Sequence, residues 1–503
     1  MNKVLTLLLS FAITVNAQNL IEKSGANVDN KETPHFSYVI GSDDKYLYTL
    51  WNDVELMNRK PVYTVIQINK TSLNSEKKIV SLTLEKFSQF QFATKVKDKL
   101  YLFTKNLNSS NDKWQFTLND CSTGTAKSTI LMEFNTDRNT YFRTAFLNCM
   151  SPDSSKMGII SYHLGAIEFH LYDVITLKKI SSSKLPSSED LFKFAQTKYL
   201  IDNEGNLFYI DNQFPTLNIT KQPTNNGQVA KTSIKINTSY DMGNLNLSFD
   251  EKSKSLYVHS TFYERNSNPK ITTYTNGGIY VAKISLNSFS VSAEKHYPFN
   301  QEIMSKIICT PKAVLPNYST NLIFLSNSEI ILETNQNSSA SMNRGSNAGS
   351  QFDMSQKVYL FSNEIIVSKL TSDLQLSWMK YIPKNCTYTN ITTDSESTIL
   401  YQRLITDNKV RYIFNEHPAF DKKIANYSAA TNCNTPESKS YPETNLVEYS
   451  IDINGTIQKR ILHTHAGDSW LIPNFYDVNL GKDKYIVRFR EKKNEHFSII
   501  NLK

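Results

Sequence analysis

The feature that most constrains the fold is a short strand-forming unit that recurs along the chain. In each copy a charged or glycine-containing turn precedes an alternation of apolar and polar residues, as in a hairpin that returns to a buried sheet face. The unit occurs at residues 44–50, 97–103, 155–161, 204–210, 254–259 and 482–487. Clear amphipathic helices are scarce, and we therefore predict an all-β protein.

A second strand unit follows the first in a repeated order. Its copies lie at residues 62–69, 167–173, 278–284, 365–370 and 446–452, each followed by a polar turn and another short strand. The early units recur at intervals of roughly 50 residues, and a four-stranded propeller blade needs about 40–50. The sequence predicts a single β-propeller of about seven to eight four-stranded blades. Two β-sandwich domains, split near residue 235 or 345, are the alternative.

The chain is longer than eight blades of about 40–50 residues require. We assign the additional residues to two polar insertions. They lie near 334–351 and 422–443, and strand units flank both, so we interpret them as blade-connecting loops within one domain, 18–503. The chain ends on a strand at 496–502. We expect N- and C-terminal strands to close the ring. The segment 35–40 would either complete the last blade or begin the first.

The N-terminus has the pattern of a secretory signal peptide over residues 1–17. Lys3 precedes an apolar run at 4–15, and Val15 and Ala17 are small residues at positions −3 and −1 of a cut after Ala17. The run is shorter than the about 20 residues that span a bilayer. We expect a mature protein that begins at Gln18 and is secreted, periplasmic or at the cell surface, with no transmembrane segment.

The charge pattern argues against a nucleic-acid partner. The 55 Lys and Arg exceed the 47 Asp and Glu by only 8, and they are scattered without a basic stripe interleaved with aromatics. Mild attraction to anionic surfaces or polysaccharides remains open. We expect a monomer whose partner is a protein or a polysaccharide.

Five cysteines occur at positions 121, 149, 309, 386 and 433. None is spaced C-x-x-C, which argues against zinc-ribbon and thioredoxin sites. Cys386 and Cys433 both lie in polar, loop-like segments and are the candidate disulfide pair, with buried free thiols as the alternative.

Three turns resemble those of known bacterial propellers. Residues 151–157 (SPDSSKM) resemble the S-P-D-G-K-x-[LI] turn of Tol-type propellers, with Ser154 in place of glycine, and 248–256 is a looser version. Residues 370–378 resemble the L-D-x-x-G-x-x-x-W turn of secreted quinone-type repeats, with Gln375 in place of glycine. The resemblance implies a propeller fold, and it implies no activity because propellers host both binding proteins and enzymes.

Two segments approximate catalytic or metal-binding motifs. His463 and His465 are two apart and would face the same side of a strand, with Asp468 as a third ligand, although a strand end with two ordinary histidines is the simpler interpretation. Residues 371–378 approximate a sialidase Asp-box, which would also require three convergent arginines.

No other catalytic or cofactor motif is present. The sequence lacks a G-x-S-x-G elbow, a phosphate loop, a dinucleotide fingerprint and an EF-hand loop, so we predict no cofactor and no metal. Two functional classes remain. The first is an exported, non-catalytic propeller that binds a protein or glycan; the alternative is a secreted glycoside hydrolase or lyase on the same scaffold. Carboxylates and arginines converging in the central funnel would favour the enzyme.

Overall fold

The computed structural model describes most of the chain downstream of residue 20. The described residues are 21–28, 35–53, 60–85, 88–108, 113–135, 144–186, 191, 194, 197–225, 227–265, 274–307, 318–342, 357–384, 386–389, 401–406, 409–416, 443–466, 469–476, 483–491 and 494–502. The predicted signal peptide lies outside these residues.

The first half of the chain forms a terminal strand, β1 (Ile21–Ser24), and four antiparallel sheets. Blade 1 contains β2 (His35–Ser42), β3 (Tyr46–Asp53), β4 (Val62–Asn69) and β5 (Ser75–Thr83). Blade 2 contains β6 (Gln89–Val96), β7 (Lys99–Asn108), β8 (Lys113–Asp120) and β9 (Lys127–Asn135). Blade 3 contains β10 (Thr144–Met150), β11 (Lys156–His163), β12 (Ala166–Asp173) and β13 (Lys179–Leu185). Blade 4 contains β14 (Tyr199–Ile201), β15 (Leu207–Gln213), β16 (Thr216–Gln222) and β17 (Ala230–Lys235).

The second half forms four more sheets, two of which carry an additional short strand. Blade 5 contains β18 (Tyr240–Met242), β19 (Asn246–Asp250), β20 (Ser255–Arg265), β21 (Tyr274–Ser285) and β22 (Ser290–Pro298), and the helix α1 (Gln301–Ile307) follows it. Blade 6 contains β23 (Tyr318–Phe324), β24 (Ile330–Met342), β25 (Lys357–Leu370), β26 (Leu376–Ile382) and β27 (Cys386–Thr389). Blade 7 contains β28 (Gln402–Thr406), β29 (Lys409–Glu416), β30 (Glu443–Asp452) and β31 (Ile457–Ala466). Blade 8 contains β32 (Ser469–Tyr476), β33 (Lys484–Glu491), β34 (Asn494–Asn501) and β1.

The eight sheets are arranged in a ring, which confirms the all-β propeller. The innermost strands of neighbouring blades contact one another, β2 with β6, β10 with β14 and β19 with β23, and β18 and β19 share the inner position of blade 5 beside β20. These strands therefore lie nearest the centre of the ring. The last strand of each blade lies at the circumference. The sandwich alternative is wrong, because residue 345 falls between β24 and β25, two strands that pair within one blade.

The ring is closed by β1, which pairs antiparallel with β34 and becomes the outermost strand of blade 8. Ile21 lies opposite Ile500, and the Ser24 hydroxyl lies 2.8 Å from that of Ser498. Of the two roles expected for 35–40, the second is confirmed, because His35–Ser42 is the first strand of blade 1. The ring is instead closed by Ile21–Ser24, a segment further upstream that the sequence pattern did not identify.

The two predicted insertions fall within blades. β24 continues to Met342, so the first part of the 334–351 segment extends a strand, while 343–356 lies outside the described residues. The second insertion precedes β30, which begins at Glu443, and the rest of it lies outside the described residues. Both join the second strand of a blade to its third, rather than one blade to the next.

Aspartates at the polar turns hold the hairpins together. The Asp452 Oδ1 atom accepts hydrogen bonds from the backbone N–H groups of Asn454 at 2.9 Å and Thr456 at 2.8 Å. The expected positive φ of the Asn-Gly turn is found at Gly455, with φ of 82°. Ser154, which replaces the glycine of the related turns, adopts the same left-handed region with φ of 56°.

The hydrophobic core is divided into clusters that lie between neighbouring blades. One such cluster joins Phe103 and Phe116 of blade 2 to Met157 and Ile159 of blade 3. Each fully buried side chain of this kind contributes about 1.5–3 kcal/mol relative to an exposed one. Because each blade is covered on both faces, the strands contain long buried runs, such as the six central residues of β11. Many of the aromatic residues therefore serve the structural role expected for strand and core positions.

Candidate functional site

The sequence favours His463 and His465 as ordinary strand residues over metal ligands, and the described residues provide no third ligand beside them. Both residues lie on β31, the outermost strand of blade 7, opposite Leu446 and Thr444. His463 is half-buried, and desolvation lowers the pKa of its imidazole. Asp468 lies outside the described residues. Among those that are described, no group of three His, Cys, Asp or Glu could hold a metal ion.

The segment that approximates an Asp-box is the turn between β25 and β26. The Thr371 Oγ1 atom accepts a hydrogen bond from the Gln375 N–H at 3.0 Å, and Asp373 is exposed at the tip. The Trp378 indole N–H donates to the Ile453 carbonyl of blade 7 at 3.1 Å. The motif therefore stabilises a turn and docks it on the next blade.

The described arginine side chains do not form a carboxylate-binding triad. Each is engaged with a carboxylate of the protein itself: Arg403 with Glu333 at 3.2 Å, Arg411 with Asp483 at 3.1 Å, Arg460 with Glu448 at 2.6 Å and Arg488 with Glu495 at 3.0 Å. These pairs lie within and between blades 6, 7 and 8, where each arginine compensates a carboxylate.

Glu333 and Arg403 belong to a largely buried cluster of polar side chains. Glu333 lies on β24 and is fully buried, while Arg403 lies on β28, with about a third of its side chain (32%) exposed. The Tyr401 hydroxyl donates to Glu333 and accepts from the Asn335 amide at 2.6 Å. Burial, together with the adjacent Glu333 carboxylate, raises the pKa of Tyr401 well above its ordinary value. The cluster therefore ties blade 6 to blade 7.

This cluster lacks the features of a catalytic centre. It contains one carboxylate and one arginine, whereas the enzyme hypothesis called for several of each converging in the central funnel. Blade 6 has a second buried carboxylate, Glu364, which lies on β25 and accepts a hydrogen bond from the Tyr318 hydroxyl on β23. Burial raises the pKa of Glu364 to about 7, but the same burial separates it from solvent.

A cleft of about 230 Å³ lies between blades 1 and 2. Blade 1 contributes Tyr48 from β3, Gln67 from β4, and Lys77 and Ile79 from β5; blade 2 contributes Lys95, Asp98, Leu100, Ser122, Thr123 and Gly124. The hairpin turns before β7 and after β8 position the blade 2 residues, because Ser122 Oγ accepts the Leu100 N–H at 2.9 Å. The lining is mainly polar, with ammonium, amide and hydroxyl groups.

Hydrogen bonds within the protein fix the floor of the cleft. The Tyr48 hydroxyl donates to Asp43 Oδ2 at 2.5 Å, and the Gln67 amide lies 3.4 Å from the same hydroxyl oxygen. Burial, reinforced by the bond to Asp43, raises the pKa of Tyr48 to about 12, so this hydroxyl stays protonated. The Lys95 ammonium lies 5.4 Å from the centre of the Tyr48 ring. The site thus presents cationic donors over a neutral phenol.

Sequence reasoning missed the cleft. Its residues come from several strands and turns of two blades, and each one alone has the composition of an ordinary strand or turn. Lys97 and Asp98 were recognised only as a hairpin turn. The nearest signal was the repeat itself, because it predicted that turns of neighbouring blades lie side by side.

The predicted disulfide stays a prediction. Cys386 begins β27, and Cys433 lies outside the described residues. Cys121 and Cys149 are free thiols, and burial raises the pKa of each to about 12. Both thiols are therefore protonated at neutral pH.

Comparison with known proteins adds no activity. No family model and no curated protein matches the sequence. Among solved structures, the C-terminal WD40 domain of Sif2 is 9% identical with a TM-score of 0.41, covering 96% of this chain and 98% of that one. TolB from Acinetobacter baumannii is 14% identical (TM-score 0.27, covering 64% and 60%), and polysaccharide lyase Uly1 is 10% identical (TM-score 0.33, covering 82% and 89%). The number of blades, eight, follows from the strand pairing of this chain and not from these comparisons. No helix among the described residues is long and apolar enough to cross a membrane.

Proposed function

We propose that the protein is an exported, non-catalytic β-propeller that binds a glycan in the cleft between blades 1 and 2. The composition of the lining carries this proposal. Lys77, Lys95 and Gln67 offer donors suited to sugar oxygens, around a single carboxylate, Asp98. Glycoside hydrolysis ordinarily uses a pair of carboxyl groups that flank the scissile bond. One carboxylate can hold a sugar hydroxyl, but it does not supply that pair.

The size of the cleft favours one sugar residue of a longer chain. Its volume of about 230 Å³ is below the about 300–1,000 Å³ of pockets for drug-sized ligands. The remainder of a polysaccharide would lie along the surface outside the cleft. Export is a prediction from the N-terminal sequence. It is compatible with the fold, because a cut after Ala17 leaves the closing strand Ile21–Ser24 in the mature chain.

The test is a binding assay with the mature chain, 18–503, against labelled glycans from cell-envelope and culture-medium extracts. We expect saturable binding that Lys95→Gln weakens about tenfold, since a hydrogen bond to a charged group contributes about 1.5–3 kcal/mol. Lys252→Gln is the matched control, because Lys252 is exposed on a turn of blade 5. We expect its affinity to equal that of the parent.

Three outcomes contradict the proposal. Equal loss in both variants would place binding outside the cleft. Recovery of a stoichiometric protein partner without any glycan would replace the glycan by a protein ligand. Shortened glycan products would establish the runner-up function, a secreted glycoside hydrolase or lyase.

A further inference from the structure

The outermost strands of blades 1 to 4 carry a concentration of positive charge. Seven lysines and two glutamates lie on β5, β9, β13 and β17: Lys77, Lys78, Lys127, Lys179, Lys184, Lys231, Lys235, Glu76 and Glu133. All nine are exposed. We call the seven lysines the lysine half-rim. With their two glutamates, these four strands carry an excess of five positive charges, compared with 8 for the whole chain.

The outermost strands of blades 5 to 8 carry a smaller excess of three positive charges, from Lys23, Lys295, Lys380, Lys459 and Arg460 against Glu22 and Glu294. There, Lys459 and Arg460 on β31 pair with Glu416 at 2.7 Å and Glu448 at 2.6 Å. In the described part of the chain, Lys127, Lys184 and Lys231 are exposed and form no ion pair, so their charges are available to a ligand. Exposed hydroxyl side chains lie on the same strands, such as Ser128 and Thr129 of β9 and Ser182 of β13.

We infer that the lysine half-rim binds a polyanionic glycan, one that carries carboxylate or sulfate groups along its length. This inference rests on the proposed function and names its ligand class. Lys77 belongs both to the lysine half-rim and to the lining of the cleft, so the two surfaces are continuous. A chain seated in the cleft by one residue would extend along a surface of like-charged ammonium groups. Clustered cations attract a polyanion far more strongly than a neutral polymer.

Lysines on edge strands have another known use, which is to prevent edge-to-edge pairing of sheets. That use requires only a charge on each exposed edge. It does not require a ligand, a salt-dependent affinity or a difference between acidic and neutral polysaccharides. These three observations therefore distinguish glycan binding from protection of the sheet edges.

The experiment compares binding of the mature chain to polygalacturonate and to dextran of matched length, at low and high salt. A triple variant, Lys127→Gln with Lys184→Gln and Lys231→Gln, removes one charge from each of three blades. The control triple, Lys198→Gln with Lys252→Gln and Lys295→Gln, changes the net charge equally outside the lysine half-rim. Thermal unfolding and sedimentation of every variant confirm that it folds and stays monodisperse.

We expect polygalacturonate to bind more tightly than dextran, with an affinity that falls as salt rises. The half-rim triple should weaken polygalacturonate binding about tenfold, since each exposed ion pair contributes a few-fold at most. The control triple should change it less than about twofold. Dextran binding should be the same in all three proteins.

Each other result overturns the inference in an identifiable way. Equal loss in both triples would mean that net charge alone attracts the ligand. If dextran bound as tightly as polygalacturonate, the ligand would not have to be anionic, but the proposed glycan-binding function would stand. If neither polysaccharide bound, both the anionic ligand and the proposed function would be wrong. Aggregation of the half-rim triple with unchanged affinity would assign the lysines to edge protection. Binding to anionic lipid vesicles but not to polygalacturonate would assign them to a membrane surface.

Discussion

The His259 imidazole on blade 5 forms a hydrogen bond through Nδ1 with the Thr320 hydroxyl on blade 6, at 2.8 Å. Its other ring nitrogen lies 2.9 Å from the hydroxyl of Ser248, so both nitrogens are satisfied by neutral groups. The side chain is 1% exposed, and desolvation lowers the pKa of His259 to about 3. A neutral histidine thus joins two blades near the centre of the ring.

His259 should make the protein sensitive to acid. The unfolded chain binds a proton near pH 6.5 and the folded one does not until about pH 3, so this contribution to stability is lost as pH falls through that window. Between pH 6.5 and 5 the loss is about 2 kcal/mol. The variant His259→Asn should be less stable at pH 7 but should lack this part of the pH dependence. Denaturant unfolding at the two pH values measures it.

The control for this prediction is the set of other histidines. Desolvation also lowers the pKa of His163 and His296, and both remain in the variant. The difference between parent and variant therefore isolates His259. Parallel stability curves for the two proteins from pH 7 to pH 5 would show that His259 is protonated in the folded state.

Glu364 should have the opposite effect on the pH profile. Burial raises its pKa from 4.5 to about 7, so the folded protein prefers the protonated acid. Its contribution to stability is complete below pH 4.5 and is lost as pH rises to about 7, a change of about 3 kcal/mol. Glu364→Gln retains an acceptor for the Tyr318 hydroxyl and cannot ionise. We expect it to match the parent at pH 4 and to be more stable at pH 8.

Thermal or denaturant unfolding at pH 4 and pH 8 checks the Glu364 prediction. Tyr318→Phe is a useful companion, because it removes the hydroxyl that donates to the carboxylate. That variant should be destabilised most at pH 8, where the carboxylate needs the donor. A Glu364→Gln protein that is less stable than the parent at pH 8 would contradict the preference for the neutral acid.

The free energy of unfolding should fall most when only one partner of the Glu333–Arg403 pair is removed. Arg403→Gln leaves the fully buried Glu333 carboxylate without its cation, and we expect a loss of about 2–3 kcal/mol, discounted for the partial exposure of Arg403. The double variant Glu333→Gln, Arg403→Gln should recover much of this loss. Denaturant unfolding of the single and double variants gives the coupling.

A surface pair provides the comparison for that cycle. Lys113 and Glu133 form an ion pair on blade 2 with a third of each side chain exposed. Lys113→Gln should leave stability unchanged within error. If Arg403→Gln also left the stability unchanged, the hydrogen bond from the Tyr401 hydroxyl would be sufficient to hold the buried Glu333 carboxylate.

The repeat was predictable because its signals are local. Period-two alternation and polar turns encode each hairpin within a few residues, and Asp452 with Gly455 forms the turn that the sequence indicates. The closing strand was not predictable, since Ile21–Ser24 is four residues long and its partner lies at the other end of the chain. The cleft was missed for the same reason: Tyr48 and Ser122 become neighbours only when two blades pack side by side.

Ring closure by β1 gives the last prediction. Ile21 packs against the core between blades 7 and 8, and the Gly25 N–H donates to the Phe497 carbonyl at 2.9 Å. A chain of residues 29–503 should unfold at a lower temperature than one of residues 18–503 and should self-associate as its concentration rises. The reason is that removal of β1 leaves β34 as an unpaired edge strand, and such edges pair with other chains.

The check combines thermal unfolding with sedimentation velocity at several protein concentrations. A synthetic peptide of residues 18–28, added in excess, should raise the unfolding temperature of the truncated chain because it can pair with β34 in the register of Ile21 and Ile500. A scrambled peptide of the same composition is the control. A truncated chain that stays monomeric and unfolds at the parent temperature would show that blade 8 is stable with three strands and that β1 is dispensable for closure.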